Sequence, residues 1–363
     1  MGLNEKFFKS ADSVINPRDH FNTVLFTGNN STNVITTVGF QPDLSWFKNR
    51  QAGNSHALVD SLRGRSKVLF SDSDTADTIS DSNKDLVSFD TNGFTLGAVQ
   101  RANSFNKVDA ANNIVAWNWY APTSQTIGAS GSRLASTIKK NVTAGFSIVN
   151  YTGGGGAATV GHGLNSAPEM YIVKSRGHQT SWYTYHIGLD ASSPEDYNVR
   201  LNETSARQDS ASYWNDTAPT SSVFSIGTTT GISQSSTDFI TYCFHSVEGY
   251  SKIGSYSGNG TNQTIDVGFT PQFVMIKNST QTSAYASWIM FDSKRLVAYN
   301  DTNPLYANKS VAEGTRGNGT GDGDVLEIIF VTDTGFKLGD ASRNNGSDET
   351  NNNNETYIYY AIA

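Results

Sequence analysis

Nucleophilic or acid–base catalysis by serine, cysteine or a bound metal nearly always recruits a histidine, and this 363-residue chain has six. His20, His56, His162, His178, His186 and His245 are scattered, and only His162, His178 and His186 share one stretch. They read as polar edge or loop residues, with a metal or acid–base site as the alternative. A nucleophile elbow would show as G-x-S-x-G, and the chain has none. The run Gly153-Gly154-Gly155-Gly156 is followed by neither Lys-Ser/Thr nor a helix start, so it is a hairpin turn rather than a phosphate loop. Asp72, Asp74 and Asp77, and separately Asp322 and Asp324, offer oxygens of the kind Ca²⁺ takes. The first set lacks the third alternating carboxylate and the glycine of an EF-hand loop, and solvated acidic loops are the simpler reading. Glycoside hydrolysis requires two carboxylates facing each other across about 5–9 Å, and no acid pair recurs at matched positions. Asp60 with Arg63, and Asp292 with Arg295, are spaced as local salt bridges that fix turns. No catalytic residue, metal or cofactor is therefore expected, and the chain reads as a non-enzyme.

Aromatic side chains supply a different chemistry. Their faces stack on sugar rings while neighbouring Asn and Asp bond the hydroxyls. Trp182 and Trp288 follow strand-like runs and are expected in the core. Trp214 stands in a polar insertion beside Tyr213, Asn215 and Asp216, which makes these four the candidate ligand-binding residues, for a glycan.

The elements that must position such a site are set by a repeat. Gly268-Phe269-Thr270-Pro271 leads through apolar residues to Lys277; Gly39-Phe40-Gln41-Pro42 leads likewise to Lys48, and Gly163-Leu164 with Pro168 to Lys174. In each copy the proline precedes the lysine by six positions. Proline suits the first residue of a strand because it cannot donate a ladder hydrogen bond, so each run reads as a mostly buried strand ending at a polar lysine. Hairpin signals precede each copy, as in Gly28-Asn29-Asn30, and an apolar closing strand follows, as in Ile114 to Tyr120, which alternates as a half-buried strand should. Three copies predict an all-β chain of three tandem antiparallel β-sandwich modules. The expected boundaries are an N-terminal docking arm over 1–20, modules over 21–120, 146–249 and 250–363, and a linker over 121–145. With almost no linker at 249–250, the second and third modules should pack rigidly and the first should hinge.

Composition agrees with strands and turns: aromatics are 11%, charged residues 16%, and there are 33 glycines. A net charge of −7 argues against a nucleic-acid partner. Cys243, the single cysteine, sits in an apolar run and reads as a small buried hydrophobe. Met1 to Asn16 lacks the apolar core of a signal peptide and no run is long enough to span a bilayer, so synthesis in a cytoplasm without membrane insertion is expected.

The strings Tyr151-Thr152-Gly153, Ala167-Pro168-Glu169-Met170 ending in Lys174, Trp214-Asn215-Asp216-Thr217-Ala218-Pro219, and Gly249-Tyr250-Ser251-Lys252-Ile253-Gly254-Ser255-Tyr256 resemble a repeat family of marine bacteriophages. Its members are cyanophage and pelagiphage virion proteins of the tail-fibre kind, and the likeness runs from Phe21 onward. The resemblance implies concanavalin-like or jelly-roll-like sandwiches and a virion location after assembly in the host cytoplasm. Tail fibre or another surface appendage in contact with host-surface glycan is the function it implies. Other virion proteins would be the partners, and analogy with fibres implies a homo-oligomer such as a trimer. A capsid decoration or knob protein is the alternative within the virion, and a polysaccharide-degrading enzyme the alternative of another class.

Overall fold

The computed structural model describes residues 15–81, 83–98, 105–107, 113–295, 304–315, 328–331, 334–339 and 349–363. Phe7-Phe8 of the expected arm, and Asp322 and Asp324, lie outside them. Strand dominates, and helix is confined to single turns at Pro17–Asp19, Pro194–Asp196, Ala211–Trp214 and Thr230–Ser233 among the described residues.

The repeated motif shapes its surroundings the same way each time. Gly39, Gly163 and Gly268 have φ of +92°, +72° and +82°. At Gly39 and Gly268 a Cβ would meet nothing within 4 Å, so the left-handed backbone and not crowding calls for glycine. The prolines then stand two residues ahead of the strands Leu44–Asn49, Met170–Ser175 and Phe273–Asn278, rather than inside them. Each of these strands lies between two partners in a large antiparallel sheet. The first sheet runs in the order Phe21–Phe26, Ile114–Trp119, Leu44–Asn49, Ala57–Asp60, Lys67–Phe70, Thr78–Ile79. The third runs Ser251–Ser257, Thr356–Ile362, Phe273–Asn278, Trp288–Asp292, Leu305–Tyr306. The second has the same central order, Phe146–Thr152, Asp238–Phe244, Met170–Ser175, Tyr183–His186, Tyr197–Arg200, and adds Gln208–Asp209 at one edge.

Residues 121–145, expected as a linker, instead carry three strands. Thr123–Ile127 and Ser136–Asn141 form a hairpin that extends the second sheet beyond Phe146–Thr152, and Arg133–Leu134 pairs in parallel with Thr159 and Val160. Ile138 is buried there while Thr123 to Thr126 face solvent. The Gly, Ser and Thr that read as a linker mark the turn of this hairpin and its exposed edge strand.

A three-stranded sheet covers one face of each large sheet. In the first third of the chain Ile35, Phe94 and Leu96 of that cover share an apolar cluster with Phe47, Ala57, Val59 and Ile114; the second and third have counterparts around Phe224 and Phe336. The other faces of all three large sheets meet in one further cluster. It joins Trp46, Trp117 and Trp119 to Met170, Trp182 and Phe244 and to Phe273, Trp288 and Tyr360. Rings from different thirds touch there: Phe244 and Tyr360 at 4.9 Å, Trp117 and Phe273 at 6.0 Å. The void left at the centre is about 20 Å³ and wholly apolar, too small and dry for a ligand.

Two-sided burial explains the patterns. Leu44 and Trp46 face the shared cluster while Phe47 faces the cover, so the motif strand is buried throughout. For the same reason Ile114–Trp119 is not half-buried as its sequence suggests; all six residues are buried. The first third, expected to hinge, makes buried contacts with both others.

Candidate functional site

The motif lysines do not end their strands in solvent. Lys48, Lys174 and Lys277 are all fully buried, and each ammonium reaches a backbone carbonyl in another third of the chain. Lys48 Nζ donates to Ser310 O (2.9 Å), Lys277 Nζ to Thr204 O (3.5 Å) and Lys174 Nζ to Asp74 O (3.0 Å). First to third, third to second, second to first, the contacts close a ring. The indoles of Trp182 and Trp288 follow suit, donating to Phe70 O (3.0 Å) and Arg200 O (2.9 Å).

The two salt bridges expected from spacing are formed, and they belong to larger groups. Arg63 pairs with Asp60 at 2.5 Å and with Asp77, which also takes Arg176 from the second third. Arg295 pairs with Asp292 at 2.5 Å and with Glu313, which also takes Arg50 from the first third. Asp60 further accepts from Tyr242 Oη (2.8 Å), and Asp292 from Trp117 Nε1 (3.0 Å). At the corresponding place the second third has His186, whose Nε2 lies 3.1 Å from Tyr359 O.

Burial fixes the charge state of several of these groups. Desolvation alone pushes Lys277 down to about 7; Lys48 and Lys174 fall to about 8, desolvation outweighing nearby acids. Because these folded values lie below the ordinary lysine range, the unfolded chain holds more protons between about pH 7 and 10.5. The cost of burying the ammonium is full below that window and is relieved as pH rises through it. Calorimetry should therefore show the melting temperature rising from pH 7 to pH 9, with a smaller rise in Lys277→Met. An equal rise in both proteins would mean that Lys277 is charged at every pH in that range.

The sequence-derived glycan site does not form. Trp214 is 0% exposed; its indole donates to Tyr197 O (2.9 Å) and its ring meets Tyr171 edge-on at 4.8 Å. Tyr213 is half-buried, its hydroxyl bonded to Gln208 Oε1 (3.0 Å). Asn215 and Asp216 are exposed, but at φ of +55° and +43° they end the one-turn helix Ala211–Trp214 and turn the chain so that Trp214 points inward. The polar neighbourhood marked a turn, and a turn leaves open which side chain faces the core.

His56, His162 and His186, expected at edges or in loops, are fully buried. Desolvation takes His162 and His186 to about 4 and His56 well below its usual value. Each has a separate partner: Trp46 Nε1 donates to His56 Nδ1 (3.1 Å), and His162 Nε2 lies 3.0 Å from Thr220 O. Among the described residues no three His, Cys, Asp or Glu gather as metal ligands. Asp72, Asp74 and Asp77 diverge, to His56 N, Gln179 Nε2 and the two arginines. Trp182, Trp288 and Cys243 are core residues, as expected.

An open cleft of about 510 Å³ lies elsewhere, at the junction of the first third with the 123–141 hairpin. Its aromatic wall is Phe40 and Tyr120, 5.5 Å apart and tilted by 42°. Exposed Gln41, Thr91 and Asn92 form its rim, and the Gly39 N–H bonds Asn92 O (3.2 Å), tying two turns of the rim together. At the back, buried Asp43 accepts from Ser61 Oγ (2.5 Å), Ala121 N (2.8 Å) and Lys139 Nζ (3.1 Å). Beyond the motif residues Gly39 to Asp43 no sequence signal marks this cleft, since its lining comes from five separate segments.

Fold and site define an all-β protein of several antiparallel sheets, whose buried ionic groups join sheet to sheet. The chain belongs to the family described as a domain of unknown function, DUF7483, whose profile matches residues 16–363 and so spans all three motif copies. No curated protein and no solved structure matches it.

Proposed function

We propose that this chain is a non-enzymatic structural protein on the surface of a bacteriophage particle. In this reading three fused β-sandwich units form a compact knob, the head of a tail fibre or other appendage, that contacts host-surface glycan. The observation that carries it is the ring of buried contacts among the three thirds, made by Lys48, Lys174 and Lys277 around a common aromatic core. Burial of this kind suits a part that must withstand handling outside the cell. The likeness of Tyr151-Thr152-Gly153 and Gly249 to Tyr256 to phage repeat proteins supports the location. Compactness also favours a capsid decoration knob as a second reading, since a tail fibre is commonly extended.

Immunogold labelling of intact particles with antibody against this chain tests the location. Gold at the tail or its fibres is the expected result, gold over the capsid would select the decoration reading, and particles without gold would end the virion proposal.

A further inference from the structure

We propose that the Phe40–Tyr120 cleft binds a neutral saccharide, a step that rests on the glycan contact proposed above. Its volume of about 510 Å³ falls within the ~300–1,000 Å³ of small-molecule sites, room for roughly one or two sugar rings. At one wall the half-buried Tyr120 ring, backed by the buried Phe40, is the aromatic surface on which a pyranose would stack. Around it the amides of Gln41 and Asn92 and the hydroxyls of Thr91 and Tyr120 make no side-chain hydrogen bond to the described residues. Such groups give and take hydrogen bonds without charge, which is what ring hydroxyls ask of a site. The charged groups nearby are already engaged. Lys139 is paired with the buried Asp43, and Asp19 accepts from Asn16 Nδ2 (3.0 Å). A phosphate, sulfate or sialic acid would find no uncommitted cation in the cleft and would meet Asp19.

The cleft is particular to the first third, although its backbone frame recurs. Tyr120 N donates to His20 O as His245 N does to Gly145 O and Ala363 N to Tyr250 O, so these three are corresponding positions. Histidine and alanine there supply no ring like that of Tyr120. The Lys139 wall comes from the hairpin that, among the described residues, extends the second sheet, and Lys139 reaches Asp43 of the first third. The turns at Gly39 and Asn92 are tied to each other, so little ordering is needed when a ligand arrives.

The test is binding of the full chain to an array of neutral oligosaccharides of glucose, galactose, mannose and N-acetylhexosamines, with sialylated and sulfated glycans alongside. At least one neutral glycan should bind. Gln41→Ala and Asn92→Ala, both at exposed positions, should each weaken it about three- to tenfold with the melting temperature unchanged. Tyr120→Ala should weaken it about tenfold or more. Binding confined to acidic glycans, binding untouched by all three substitutions, or no binding at all would overturn the site. Particles that carry gold but whose protein ignores neutral glycans would lose this site and keep the structural role; binding without gold would do the reverse.

Discussion

Residues 121–249 expressed alone are expected to aggregate or to form a loosely packed globule, not a native monomer. This segment contains a complete large sheet with its three-stranded cover, so sequence reasoning would treat it as independent. Yet the face it turns to the shared cluster carries Ile148, Met170, Ile172, Trp182, Tyr242 and Phe244, all at 5% exposure or less in the whole chain. Exposing six such side chains costs about 1.5–3 kcal/mol each, or about 9–18 kcal/mol in total as an upper estimate. Stabilities of whole domains are about 5–15 kcal/mol, so the loss is as large as the whole stability of a typical domain. Lys174 and Trp182 would also lose their acceptors, Asp74 O and Phe70 O. Gel filtration, near-ultraviolet circular dichroism and dye binding would show the state directly. A sharp monomer peak with native aromatic dichroism would refute a shared core and restore three independent beads.

Asp292→Ala should be among the most damaging single substitutions in the chain. Asp292 is 0% exposed and accepts four bonds, from Trp117 Nε1 (3.0 Å), Arg295 Nε (2.5 Å), Arg295 N (3.0 Å) and Lys294 N (3.1 Å). Desolvation of the guanidinium is outweighed by Asp292 and Glu313, which together raise Arg295 above its ordinary value. Without Asp292 that buried cation loses its closest counter-charge while Glu313 remains, and the Trp117 indole N–H loses its acceptor. Removing one partner of a buried pair costs about 3–5 kcal/mol, and urea unfolding should show that loss as a lower midpoint with an unchanged slope. Replacing both partners, Asp292→Leu with Arg295→Met, should recover most of it, leaving about 1–3 kcal/mol for the unpaired indole. A loss below about 1 kcal/mol in the single variant would mean that the pair behaves as a hydrated surface bridge.

Local chemistry was legible in the amino-acid order alone. Aromatic and β-branched runs between Gly, Asn and Ser turns made it a strand protein, and the Gly-x-x-Pro…Lys spacing placed three equivalent strands. Asp60 with Arg63 and Asp292 with Arg295 were legible because residues three apart at a strand end meet whatever the rest of the chain does. Trp288 and Cys243 were legible as core from the apolar runs they stand in, and Trp182 from its place after a strand-like run. Other features depended on what lies across a face, and periodicity cannot report that. Strands covered on both sides lose their alternation, so the closing strand Ile114–Trp119 could not announce its second apolar layer. A lysine at the end of an apolar run reads as exposed until the neighbouring third of the chain supplies carbonyls for it, as Ser310 does for Lys48. Trp214 reads as exposed among polar residues until the turn at Asn215 sends it inward. The cleft was invisible for the same reason: Gln41, Asn92, Tyr120 and Lys139 are far apart in sequence, and only the closing of the sheets and the 123–141 hairpin brings them to one opening.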